Sequence, residues 1–153
     1  MFLIRRAEER DITPICQLLC QAGLHEEGVD KHIDHFLVIE REEDEQILGA
    51  VGIEVYGDEG LLRSFVIESE VWNGKVGLEL FGAALSFAQY LRLTKVYLFA
   101  GVTKRFFEEA GFTQVPWEVL PVELKKSDHI HHAREKGGVL MVTSLSQVKQ
   151  SQV

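Results

Sequence analysis

Where an apolar strand-like run, LLRSFVI, gives way to an apolar helix-like run, the chain reads VWNGKVG and carries Asn73, Gly74 and Gly77. A helix start presents unpaired backbone N–H groups and the positive end of its dipole, and small residues there let an anion approach the main chain. These residue types suit a phosphate group. Other groups able to do chemistry are the histidines and cysteines. His129, His131 and His132 lie in HIHH, and imidazoles are common metal ligands. On a strand His129 and His131 share a face, on a helix no adjacent pair converges, and no cysteine lies nearby. The stretch therefore reads as a polar loop without a metal. His32 and His35 form an i, i+3 pair in a segment that reads as a second short helix, and with His25 they are expected on a solvated face. Cys16 and Cys20, four apart, share a predicted helix face near Ile15 and Leu19 and read as buried free thiols. The acidic turn REEDEQ lacks calcium-loop spacing and reads as a hydrated hairpin tip.

The elements that must position these groups follow from periodicity and punctuation. FLIRR (Phe2–Arg6) reads as a strand, and DITPICQLLCQAGL as a helix with Thr13 as cap and Pro14 at its first position. GVDKHIDH suggests the second short helix. FLVIER (Phe36–Arg41) and residues 46–57 read as strands joined by EEDE, a hairpin arrangement, and LLRSFVI as a third. Next come a helix over about 76–91, a strand Lys95–Ala100, a helix TKRFFEEAG closed by Gly111, and a short strand FTQV. After Pro116 and Pro121 the polar stretch ELKKSDHIHHAREKGG leads to a last strand, VLMVTSL. Early strands pair as hairpins, whereas strand, helix, strand demands a parallel crossover. The fold class is α/β: a mixed, mostly antiparallel twisted sheet with one parallel central crossover and helices on both faces.

At 153 residues with 46% hydrophobic content the chain fits one domain, over 1–146, with a frayed tail at 147–153. The formal charge of −8 disfavours nucleic acid and anionic membrane as partners and leaves a basic small molecule open. No apolar run reaches the roughly 18 residues that span a bilayer, and MFLIRRAEERD breaks into charge too early for a secretory signal, so a cytoplasmic location is expected.

Read together, LLRSFVIESEVWNGKVGLELFGAALSFAQ and VYLFAGVTKRFFEEAGFTQV resemble the acetyl-coenzyme A binding core of the GCN5-related N-acetyltransferase (GNAT) superfamily. The likeness runs from about Gly49 to Val115. In that family the loop pattern is Gln or Arg, two residues, Gly, one residue, then Gly or Ala, and its amides hold the pyrophosphate. Aligned without a gap, Trp72 stands at the Gln/Arg position, Lys75 at the first Gly, and Gly77 is retained; a one-residue deletion instead matches NGK with the common RGK. FFEEAGF is similar to the FYxxxGF signature near the thioester, with Phe107 where a Tyr able to protonate the leaving thiolate is often found. The strand position of the histone-modifying members' carboxylate falls on Leu61, so no catalytic acid or base carries over.

The resemblance implies acetyl-coenzyme A as co-substrate, bound by Phe65, Val66 and Ile67 at the pantetheine arm, by Trp72, Asn73, Gly74, Lys75, Val76 and Gly77 at the loop, and by Phe106 and Phe107. Trp72 has three readings: it stacks on the adenine, plugs the pocket, or contacts another subunit of a homodimer. The run GAVGIEVYGDEGLLRSFVI with FFEEAGFTQVPWEVLP looks most like the amino-acid branch that includes arsinothricin- and phosphinothricin-type enzymes. In that reading Arg63, Ser64 and Tyr56 meet at a substrate pocket, Arg63 clamping a carboxylate, and the acceptor is the primary amine of a small amino-acid-like metabolite or toxin. Glu54 is the candidate general base, since a partly buried carboxylate can have its pKa raised towards neutrality. The alternative is a non-catalytic binding module of the same fold with an eroded loop.

Overall fold

The computed structural model describes residues 1–101 and 104–145. Alternating or continuous apolar runs form the strands β1 (Phe2–Arg6), β2 (Phe36–Arg41), β3 (Ile47–Tyr56), β4 (Glu59–Ile67) and β5 (Lys95–Ala100), followed by the short polar β6 (Thr113–Gln114) and the apolar β7 (Val139–Ser144). They make one sheet in the order β1-β2-β3-β4-β5-β7-β6. Every neighbouring pair is antiparallel except β4 and β5, which run parallel. The parallel pair is joined through α2 (Gly74–Tyr90), as the strand, helix, strand order requires. Helices cover both faces, so the expected fold class stands.

On one face α2 and α3 (Lys104–Glu109) bury Leu80, Phe81, Ala84, Phe87 and Phe107 against Leu62, Val96 and Leu98. On the other, α1 (Ile12–Gln21) brings Ile15, Leu18 and Leu19 against Phe36, Val38, Ala50 and Val66. Beside it a third cluster joins Leu61 and Tyr97 to Leu124 and Ile130. Leu124 and Ile130 belong to α4 (Val122–Lys125) and α5 (Asp128–Glu135).

Four local expectations are corrected. The cap of α1 is Asp11, not Thr13: its carboxylate accepts the Glu8 amide at 2.7 Å and the Arg5 guanidinium at 2.8 and 3.1 Å, which fixes the turn before the helix. Pro14 then falls within the first turn, where a missing N–H costs nothing. The stripe Ile15, Leu18, Leu19 turns Cys16 to a half-buried position and leaves Cys20 exposed, so the thiols are not both core groups. GVDKHIDH forms turns and a 3-10 turn at Ile33–His35 instead of a second helix. The interruption is Gly28, at φ 84°; a Cβ there would stand 2.9 Å from Arg63 Nη1, so only glycine supplies both the left-handed backbone and the room. Finally, the polar stretch after Pro121 is helical, because Leu124 and Ile130, few as they are, both reach the sheet. The expected tail at 147–153 and the start of the TKRFFEEAG helix at Thr103 lie outside the described residues. Among the described residues no helix is long and apolar enough to cross a membrane.

Candidate active site

The β4–β5 ladder begins at Glu59↔Lys95 and ends at Leu61↔Tyr97. Beyond it the two strands part, and the gap opens into a cavity of about 460 Å³, within the usual range for a small-molecule site. Residues 62–67 of β4 form one wall and Leu98 and Phe99 of β5 the other. Their path depends on a bulge in β4: pairing with β3 shifts between Ala50↔Val66 and Gly52↔Arg63, and Ser64 sits at φ 58°. A non-glycine residue held at positive φ beside a cavity is strain of the sort found at functional sites. Phe65 meets Phe81 edge-on at 5.9 Å, and Phe81 meets Phe106 at 5.6 Å, so an aromatic cluster backs the cavity at α3.

The expected site residues separate into three groups. Arg63, Ser64, Phe65, Val66, Ile67, Trp72, Phe106 and Phe107 line the cavity together. Asn73, Gly74, Lys75, Val76 and Gly77 form the start of α2 beside Trp72. Glu54 and Tyr56 are not cavity-lining residues; they stand behind Arg63. Glu54 and Tyr56 are two apart on β3 and share a face, so the Tyr56 hydroxyl donates to the Glu54 carboxylate, which keeps Tyr56 out of the expected substrate pocket.

Glu54 and Arg63 form a buried ion pair, each 2% exposed. Arg63 Nη1 donates to Glu54 Oε2 at 2.7 Å, Arg63 Nε donates to Ser64 Oγ at 2.9 Å, and Ser127 Oγ donates to Glu54 Oε1 at 2.7 Å. His32 Nε2 approaches the same carboxylate at 3.8 Å. Burial by itself would raise the Glu54 pKa, but hydrogen bonds from Tyr56, Ser127 and Arg63 outweigh it and hold the carboxyl below its ordinary range. The rise that motivated Glu54 as a base is therefore reversed; the group is a fixed anion. Ser127 was hidden in the sequence: at the N-cap of α5 it would be expected to cap, yet its hydroxyl turns to Glu54 and makes no cap bond.

Arg63 Nη2 is buried and has no hydrogen-bond partner. The same is true of Nδ1 of His25, a residue that also lines the cavity. His25 was expected on a solvated face and His129 in a loop; instead both line the cavity, with His25 Nε2 and His129 Nδ1 3.0 Å apart. His132 stacks on His25 at 4.1 Å, its Nε2 2.9 Å from Glu27 Oε1. Burial, with the nearby Arg63 charge, pushes His25 down to about 4 and His129 to about 3, so both rings are neutral at pH 7. No group of three or more His, Cys, Asp or Glu side chains converges to hold a metal among the described residues.

At the loop, Asn73 is the N-cap of α2: its backbone is extended and its Oδ1 accepts the Val76 amide at 2.9 Å. Gly77 N–H bonds the Asn73 carbonyl, leaving the Gly74 and Lys75 amides as the open donors of the first turn. The Trp72 indole lies over Gly77, with ring carbons 2.6 and 2.8 Å from where a Cβ would be; Gly77 is thus the seat of an aromatic ring. Lys75 is exposed beside it.

A sheet splayed at one parallel pair, a bulged strand on one wall and a helix start at its end define an acyl-coenzyme A N-acyltransferase fold. The profile of the Acetyltransferase (GNAT) family matches residues 4–112, and the chain belongs to that family. It is 32% identical over 148 residues to the uncharacterized protein YwlB of Bacillus subtilis (strain 168), covering 95% of this chain and 98% of that one. In structure it is similar to N-acetylglutamate synthase from Neisseria gonorrhoeae complexed with coenzyme A and N-acetyl-glutamate, with a TM-score of 0.80 and 22% identity. That match covers 96% of this chain and 36% of the synthase, so the chain spans about a third of the synthase's length. Rv2747 from Mycobacterium tuberculosis, solved in complex with CoA, matches with a TM-score of 0.77 and 19% identity over 94% of this chain and 99% of its own.

Proposed function

We propose that the protein transfers an acetyl group from acetyl-coenzyme A to the primary amine of a small amino-acid-like metabolite or toxin, in the cytoplasm. The observation that carries this reading is Arg63, a residue that lines the cavity: one arm of its guanidinium is fixed by Glu54, and the other, Nη2, is buried without a partner. A planar cation oriented from behind is suited to a carboxylate arriving from the cavity. The N-acetyl-glutamate in the gonococcal synthase complex supports an acceptor of this chemistry, as does the resemblance to the arsinothricin- and phosphinothricin-type branch. Glu54, Tyr56, Ser127 and Ser64 act in this reading as positioning residues for Arg63.

Acetyl-coenzyme A enters as the second substrate. The edge of residues 62–67 that β5 leaves unpaired receives the pantetheine arm as an added strand, and a β4 amide meets the thioester oxygen where charge develops. The Gly74 and Lys75 amides, with the Lys75 ammonium, hold the pyrophosphate, while Phe106 and Phe107 shape the thioester end. Holding amine and thioester in one cavity supplies much of the barrier reduction through positioning.

A second reading, a non-catalytic binding module, is favoured by Trp72 lying over Gly77 and by Asn73 occupying the Val76 amide. Calorimetric titration with acetyl-coenzyme A separates the two. Micromolar binding that weakens with Lys75→Glu supports the enzyme; absence of binding supports the module. Given binding, the acceptor is tested by comparing amino acids with the amines left after removal of their carboxylate. Arg63→Lys should erase a preference for the carboxylate-bearing member, and equal turnover of both by the native protein would remove Arg63 from recognition.

A further inference from the structure

The end of α1 is written in Ala22, Gly23 and Leu24. Gly23 takes the left-handed backbone at φ 73°, its N–H bonds the Cys20 carbonyl at 3.1 Å, and the Leu24 N–H bonds the Leu19 carbonyl at 2.8 Å. This pair of bonds is the glycine stop that satisfies the last carbonyls of a helix, and it fixes the position of the residue after the glycine. Here that residue is a leucine. Leu24 lines the cavity and is 39% exposed, so part of its apolar surface is held at the site uncovered.

The cavity passes through the sheet where β4 and β5 part. Phe106 and Phe107 belong to the cluster on the α2 and α3 face, whereas Phe99 belongs to the cluster that α5 covers on the opposite face. Trp72, Phe106 and Phe107 therefore border the half assigned above to coenzyme A, and the other half lies between the segment after α1 and α5. Its walls are Ala22, Leu24, His25, Arg63, Phe99 and His129.

Among the described residues, the lining of the whole cavity includes no Asp, Glu or Lys. Arg63 is its permanent cation, and that charge is already matched by Glu54 at 2.7 Å. His25 and His129 are neutral at pH 7, both lowered chiefly by burial. An ion brought into such a site, beyond the one that Arg63 can meet, loses its hydration with no partner to replace it, at far greater cost than a neutral group of the same size. A second carboxylate, as in the N-acetyl-glutamate of the gonococcal synthase complex, would find no second cation. A cationic side chain would find no carboxylate in the lining. An apolar side chain would instead cover Ala22, Leu24 and Phe99 and remove their surface from water.

Resting on the acetyl-transfer reading above, we infer that the acceptor carries an uncharged, apolar side chain that packs on Leu24, and that Leu24 is a specificity-determining residue.

The test compares kcat/KM on the full chain, with acetyl-coenzyme A as donor and leucine, methionine, glutamate and arginine as acceptors. Leucine or methionine should exceed glutamate and arginine by at least about 100-fold. Leu24→Arg places a cation at the uncovered surface and should narrow the leucine-to-glutamate ratio at least about 10-fold. Leu24→Ala should lower kcat/KM for leucine about 10-fold, chiefly through KM. Unfolding midpoints check that both variants keep the fold, and calorimetry of the native protein with N-acetyl-leucine and N-acetyl-glutamate ranks the side chains without turnover. Glutamate or arginine used as well as leucine, or a ratio that a folded Leu24→Arg leaves unmoved, overturns the assignment. Equal use of leucine and isoamylamine, its counterpart without the carboxylate, removes carboxylate recognition from the reading above and leaves the apolar pocket standing. A native protein that acetylates no amine overturns that reading; if it also binds N-acetyl-leucine no more tightly than N-acetyl-glutamate, the apolar pocket falls with it.

Discussion

Replacing Glu54 with Gln removes the negative half of a buried pair while nearly preserving shape. At 2.7 Å, and with both side chains at most 3% exposed, Arg63 would keep its charge with no counter-ion. Breaking such a pair by removing one partner costs about 3–5 kcal/mol, a large part of the roughly 5–15 kcal/mol that stabilises a domain. With a urea m value near 2 kcal/mol/M, the unfolding midpoint should fall by about 2 M. The loss should depend on pH with a definite sign. Glu54 has its folded pKa lowered from an ordinary value of 4.5, so its contribution is complete above about pH 4.5 and fades as pH falls through the folded value. The gap between native and Glu54→Gln protein should therefore be widest at neutral pH and narrow in acid. Tryptophan fluorescence during urea unfolding at several pH values measures it. The double variant with Arg63→Met should be less destabilised than the sum of the single losses, because it removes both charges. A neutral-pH loss under about 1 kcal/mol, or a gap that does not change with pH, would refute the view of Glu54 as an anion held by its donors.

Two further predictions concern the loop. Gly77→Ala should displace the Trp72 indole, since the added methyl would stand 2.6 Å from a ring carbon; a shift in tryptophan emission and a changed affinity for acetyl-coenzyme A are expected, and unchanged emission would mean that the ring does not rest there in solution. Asn73→Ala removes the side-chain bond to the Val76 amide and should cost about 1 kcal/mol in denaturant unfolding. Asn73→Gly, which frees the same amide at smaller cost, should tighten acetyl-coenzyme A binding if the cap competes with phosphate.

Much of the architecture was legible along the chain because strands and helices carry local signals. β1, β2 and β5 fall on the bounds expected from their apolar runs, and the crossover through α2 follows from the order of elements. The turn into α2 was recognisable because its cap, Asn73, and the glycines beside it are consecutive in the chain. α4 and α5 were not, since each buries a single apolar residue and its helicity is secured by tertiary contact with the sheet.

The polar half of the site was decided only in three dimensions. Arg63 and Glu54 announced themselves as charged residues on strands, but whether a strand residue faces water or a neighbour depends on what packs over it. Here that is the turn at Gly28 and the start of α5, which bring Ser127 to Glu54 across 73 residues of sequence. The histidines show the same limit. His25 and His129 are separated by 104 positions, and nothing local distinguishes them from solvated rings. By itself the sequence determined the sheet, its crossover and the strand-to-helix turn before α2, all written in short-range pattern; the tertiary structure decided which ionisable groups lose water, since desolvation and pairing depend on distant segments meeting.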